Sequence, residues 1–137
     1  MAKAQNVAYP HMFPVDVVIW ERFLEKYPAR CSRYEYDVKV GEGIPVDPSW
    51  PENIQRMATQ LTQGRVDVVG FSPGVVHIIE VKPDASFSAL GQVLGYMFLY
   101  KLTYPGMYRL VGEVVSDRVS GDAARMFEEN AIAVFIV

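Results

Sequence analysis

The sequence predicts an α/β (α+β) fold, a mixed sheet flanked by helices in the order αβ(α)ββαβαβ. Three observations carry that expectation. Residues 65–81 form two apolar runs separated only by Ser72, Pro73 and Gly74, the pattern of a hairpin inside a sheet. Stretches with apolar residues at a helical period stand before and after it. Two further apolar runs, 107–115 and 131–137, are divided by another helical stretch. With 137 residues, half of them hydrophobic, the whole chain 1–137 is expected to form a single domain with an ordinary core.

The elements follow in order. After a loose stretch to about Pro14, residues 15–27 read as a helix: Val17, Trp20, Phe23, Leu24 and Tyr27 share one face, Asp16 is near the start and Pro28 stops it. Residues 33–40 alternate as a strand. The segment 41–51 is turn-rich, and Pro51 suits the first turn of a short helix running through Met57 and Leu61 to Gly64. The hairpin comes next. Ser86 or Ser88 caps a helix carrying Ala89, Val93, Tyr96, Met97 and Tyr100. A strand over 107–115, a helix over 121–130 and a strand over 131–137 complete the order. Neither an internal repeat nor a low-complexity tract is present.

Two acids stand where charge is costly. Val66, Val68 and Val69 surround Asp67, and Val75, Val76, Ile78, Ile79 and Val81 surround Glu80, so both strands are expected to be covered on both faces. A lone carboxylate there costs several kcal/mol unless it is paired, protonated or bound to a cation. If Phe71 pairs with Val76, Asp67 lies opposite Glu80; if Phe71 pairs with Gly74, Asp67 is diagonal to it. Either register puts the acids on one face, and alternation adds Lys82 to the same face.

Each residue type then has a chemical use. Two carboxylates, with the main-chain carbonyl of Val81 as a further ligand, suit Mg²⁺ or Mn²⁺, which bind through one or two carboxylates and keep several waters. Lys82 is placed to orient or deprotonate a water or to stabilise phosphate charge, and the sequence leaves those roles open. Gln92 and Tyr96, four residues apart, share a face of the following helix.

The ordered set Asp67, Glu80-Val81-Lys82 and Gln92-Val-Leu-Gly-Tyr96 resembles the PD-(D/E)XK nuclease superfamily, in its RecB-like and phage-exonuclease-like branch. The resemblance is strongest over 65–100, with Val66 where the family pattern has Pro. It implies a restriction-endonuclease-like core and a divalent-metal-dependent deoxyribonuclease of DNA repair or recombination. Asp67 and Glu80 would then bind metal, Lys82 assist the attacking water, and Gln92 and Tyr96 support the metal site or the DNA backbone. It also implies an extra ligand from the first helix, for which Glu21 is the candidate, with Glu25 one turn on. From the neighbouring strand, Glu35 and Asp37 are expected on an exposed face, with an approach of Asp37 to the metal left open.

Charge bounds the partner. Thirteen Lys and Arg against sixteen Asp and Glu give a net charge of −3, which argues against a broad duplex-binding surface. Nucleic-acid contact is expected to be local, through Lys82, Arg56 and Arg65, with Lys39, Lys101 and a stacking Trp50 as further candidates. The expected partner is DNA, with ends, single-stranded regions or junctions, and a homo-oligomer or partner protein is a possible aid. No membrane span or signal leader is read, so a cytoplasmic chain is expected. Cys31, His11 and His77 are read as packing or loop residues, His77 facing away from Glu80. Two other functions compete: a noncatalytic nucleic-acid-binding or assembly module that keeps the fold, favoured by the acidic balance, and a metal enzyme acting on a small phosphorylated substrate, for which no Gly-rich phosphate cradle is visible.

Overall fold

A computed structural model describes Tyr9 and residues 12–137. His11 and most of the loose amino-terminal stretch lie outside the described residues. Four helices, α1 (Pro14–Lys26), α2 (Glu52–Thr62), α3 (Phe87–Thr103) and α4 (Gly121–Glu129), surround strands β1 (Arg33–Val40), β2 (Gly64–Ser72), β3 (Val75–Val81), β5 (Arg109–Ser116) and β7 (Ala133–Ile136). These strands make a mixed five-stranded sheet in the order β1-β2-β3-β5-β7. Its first two pairings are antiparallel and its last two parallel. The α/β expectation and the element order hold.

The sheet is covered on both faces. Ile19, Trp20 and Phe23 of α1 pack on Val68, Ile79, Val81 and Val115. On the other face Ala89, Leu90, Val93 and Tyr100 of α3, with Ala123 and Phe127 of α4, pack on Val69, Val76, Ile78 and Val114. Burial of a large apolar side chain stabilises by about 1.5–3 kcal/mol, so these two layers dominate the stability. Coverage on both sides explains why β3 is almost continuously apolar rather than alternating.

The hairpin closes as the sequence suggests. Pro73 fixes the first turn position, and Gly74 takes a left-handed φ of 70°. Ser86, not Ser88, caps α3 by accepting a hydrogen bond from the Ala89 amide at 3.3 Å. Three features differ from the expectation. The two-residue strands β4 (Asp84–Ala85) and β6 (Arg118–Val119) pair in parallel as a small second sheet, too short to leave a periodic pattern. The last strand starts two residues late because Ala131, at φ 56°, turns the chain out of α4 in a left-handed cap. No residue of α2 is buried, and Ile54, Met57 and Leu61 lie exposed.

Candidate metal centre

The observed register is the one with Phe71 paired to Val76. Val68 pairs with Ile79, so the next rung places Asp67 opposite Glu80. The main-chain ladder ends there. The Val81 amide donates instead to the Asp67 carboxylate, N to Oδ2 3.1 Å. Alternation along β3 puts Glu80 with Val76 and Ile78 on the face covered by α3. Lys82 follows immediately, its main chain held by β5: its amide donates to the Val115 carbonyl at 3.0 Å and its carbonyl accepts from Ser116 Oγ at 2.6 Å.

The side chains around this rung influence one another strongly. Glu80 is 2% exposed, and burial, reinforced by the Asp67 carboxylate, pushes its carboxyl up to about 8 against the pull of Lys82. Its Oε1 is buried without a hydrogen-bond partner among the described residues. Asp67 is also raised, first by burial and then by the carboxylates of Asp16 and Asp37, while the Val81 amide and Lys82 oppose the shift. Tyr96 enters from α3; its ring packs beside Gly64 and its hydroxyl accepts from the Arg65 amide. Burial raises the Tyr96 hydroxyl, and the charges of Glu80 and Asp67 raise it further. Gln92, half-buried one turn earlier, shares that helix face.

Of the acids on α1, the one whose charge reaches the two strand carboxylates is Asp16, while Glu21, the candidate from the sequence, acts on Tyr9. Asp16 is 6% exposed, raised by burial, and feels Lys82; both Asp67 and Glu80 feel Asp16 in turn. It is held at the third position of α1, where its carboxylate accepts from the Phe13 amide in half of a capping box. Glu21 lies about one and a half turns along, half-buried, and its charge acts on Tyr9. The signal for Asp16 was in the sequence, as an acid inside the apolar run Pro-Val-Asp-Val-Val-Ile-Trp.

Asp37 also comes to the site, from β1. It is an ion-pair partner of Arg65 at 2.9 Å and part of the charge around Asp67, whereas Glu35 is exposed and pairs with Arg33. Among the other basic candidates, Lys101 donates to the Gly106 carbonyl and stands over the Tyr108 ring, and Arg56 is exposed on α2. Trp50 is exposed in its turn-rich loop.

His77 faces the opposite side of the sheet, as expected, in a buried network the sequence did not reveal. Its Nδ1 is 2.9 Å from Glu113 Oε2 and its Nε2 2.8 Å from Ser72 Oγ, and Arg30 pairs with the same Glu113 oxygen. Glu113, 1% exposed, would be raised by burial, but its bonds to His77 and Arg30 hold it below the ordinary glutamate value. An acid in the apolar run of β5 was its only signal. Cys31 is buried with its sulfur against Gly70, a packing role, where a Cβ on residue 70 would come within 2.7 Å.

The donor set fits a hard divalent cation. Asp67, Glu80 and Asp16 offer carboxylate oxygens, one oxygen of Glu80 lacks a partner, and the surrounding acids are costly in isolation. Among the described residues no three such side chains already converge closely enough to hold an ion by themselves.

The fold has known counterparts. The chain is similar to the crystal structure of a repair endonuclease from Pyrococcus abyssi, at 17% identity and TM-score 0.51, over 88% of this chain and 46% of that one. It is also similar to the EndoMS-dsDNA2 complex structure, at 14% identity and TM-score 0.52, over 100% of this chain and 48% of the other. The likeness is one of fold. The chain spans less than half the length of either structure. No protein-family model and no curated relative matches the sequence. No helix among the described residues is long and apolar enough to cross a membrane.

Proposed function

We propose that this chain is a divalent-metal-dependent nuclease hydrolysing DNA phosphodiester bonds, with Asp67 and Glu80 as metal-binding carboxylates and Lys82 beside them. The observation that carries the reading is the Glu80 carboxyl, buried opposite Asp67 with an oxygen that no described residue satisfies. A buried acid in that state is costly unless a proton or a cation accompanies it. The fold likeness to a repair endonuclease and to a protein solved with DNA supports nucleic acid as the substrate class.

Mg²⁺ or Mn²⁺ would be held by Asp67 and Glu80, with the Val81 carbonyl as a further ligand and the Asp16 charge in support behind them, and would supply charge neutralisation and a more acidic water. Asp16 takes the first-helix place that the sequence reading gave to Glu21, since Asp16 is the α1 acid whose charge reaches both strand carboxylates. The protein's own groups do the rest. The Val81 amide fixes the Asp67 carboxylate. Lys82 orients the attacking water, takes its proton or stabilises charge on the scissile phosphate. Tyr96, anchored on the Arg65 amide, and Gln92 line the α3 side, where they support the carboxylates or a DNA backbone oxygen. The net charge of −3 favours local contact at ends, single-stranded regions or junctions over a long duplex footprint, and a second copy or a partner protein would add affinity.

The test is a cleavage panel of linear, circular, branched and single-stranded DNA with Mg²⁺, Mn²⁺ or EDTA. Metal-dependent cleavage of at least one form is expected, and complete inactivity across the panel refutes the reading. Lys82→Ala is the control: turnover falls about 100-fold or more, while Mn²⁺ binding is kept or tightened because a like charge near the cation is gone.

A further inference from the structure

Asp37 is one of two non-glycine residues with positive φ among the described residues, at 56°. The other, Ala131, sits in a helix cap where that conformation is ordinary. Asp37 sits inside a strand, where it is not.

The strands change face at this point. Tyr34 and Tyr36 pack under α1, whereas Val38 and Val40 pack under α3, although all four are two residues apart in series and should share one face. β2 does the same: Val68 packs under α1 and Val66 under α3. Pairing keeps its register through the change, Tyr36 with Val68 and Val38 with Val66. Both strands therefore reverse at one rung, and that rung is Asp37 opposite Asp67. On a regular strand Asp67 would stand perpendicular to the sheet. At the reversal its carboxylate turns along the sheet to the Val81 amide, beside Glu80.

We propose that Asp37 is a positioning residue whose left-handed backbone makes β1 and β2 reverse together and thereby aims the Asp67 carboxylate at Val81. The inference deepens the metal-nuclease reading and rests on it for its functional consequence. Strained backbone conformations persist where the surroundings enforce them, and here two bonds flank the rung. Arg65, two residues before Asp67, pairs through its guanidinium with Asp37, and its amide is held by the Tyr96 hydroxyl. The surroundings of Asp67 are thus built from β1 as well as from the hairpin that carries the acids.

Backbone and charge are separable at position 37. Gly adopts the left-handed region freely and Asn readily, Ala with difficulty, and β-branched Val worst of all. The experiment prepares Asp37→Gly, Asp37→Asn, Asp37→Ala and Asp37→Val and follows three readouts well below each melting temperature. These are hydrogen exchange of the Val81 amide without metal, Mn²⁺ binding by electron paramagnetic resonance, and DNA cleavage. Val81 protection is expected to survive in the Gly and Asn variants and to be lost in the Val variant. Mn²⁺ affinity should follow the same order, the Val variant binding about tenfold more weakly. A purely structural role would lower melting temperature without reordering affinity.

Retained Val81 protection in the Val variant overturns the proposal, as does loss in Gly and Asn equal to that in Val, which would make the carboxylate and not the backbone the cause. Failure of the metal reading looks different: wild type then binds no Mn²⁺ in an Asp67-dependent way, while the Val81 exchange pattern still reports whether Asp37 sets the geometry.

Discussion

The Asp67 carboxylate takes the amide hydrogen of Val81, 3.1 Å across the end of the β2–β3 ladder, in place of a main-chain acceptor. One side chain thereby satisfies a backbone donor that strand pairing leaves over, and it is pinned next to Glu80. The strand end is satisfied and a carboxylate is fixed by the same bond, so changes at this rung affect stability and chemistry together.

Glu80 carries a stability cost that depends on pH. Its folded-state value of about 8 lies above the ordinary 4.5, so its contribution to stability is fully present below about pH 4.5 and is lost as pH rises to about 8. Glu80→Gln removes the ionisation. In EDTA at pH 8 the variant should melt about 5 °C or more above wild type, with the gap closing toward pH 5. Scanning fluorimetry at the two pH values checks this, and an equal difference at both contradicts the burial argument.

Metal binding should release a proton. At pH 7 Glu80 is mostly protonated, and a carboxylate must be ionised to serve as a ligand. Titration calorimetry with Mn²⁺ in buffers of different ionisation enthalpy is expected to give about one proton released per ion at pH 7. Affinity should rise with pH and level off above about 8. Binding without proton release at pH 7 would place the ion elsewhere.

The two acids of α1 should differ. Asp16→Asn is expected to weaken Mn²⁺ binding about tenfold or more, as loss of a ligand or its close support does. Asn still accepts the Phe13 amide, so the helix start survives. Glu21→Gln should leave affinity unchanged. The reverse outcome, weakened binding in Glu21→Gln with Asp16→Asn unaffected, would return the first-helix assignment to Glu21.

Glu113 is expected to matter to folding and not to cleavage. Removing it as Glu113→Ala strands Arg30 and His77 and should cost about 3 kcal/mol, read by urea unfolding. Its folded-state value is lowered, so the stability it adds is present above the ordinary 4.5 and lost as pH falls below it. Wild type should therefore lose more stability than Glu113→Gln as pH falls from about 5 to about 3. A cleavage defect in a Glu113 variant that is still folded would tie this network to the site.

Much of the architecture was legible because it rests on short-range pattern. Trp20 and Phe23 mark the buried stripe of α1, Pro73 and Gly74 mark the turn, and the valines and isoleucines around Asp67 and Glu80 mark strands covered on both faces. The same pattern made Asp67, Glu80 and Lys82 conspicuous, since a charge in an apolar run requires a reason. α2 shows the limit of that logic: its apolar face is periodic and yet unburied, because periodicity states what a helix can cover and not whether a neighbour is there.

The sequence by itself determined the element order, the hairpin and the identity of its acids, because alternation and turn chemistry act between residues close along the chain. The fold alone decided the register that set Asp67 opposite Glu80, the reach of the Asp16 charge to both strand carboxylates, the Glu113 network and the left-handed backbone at Asp37. Those depend on which distant elements meet and on how far water is excluded where they do. Desolvation and charge coupling are properties of that shared environment, so no spacing within one segment encodes them.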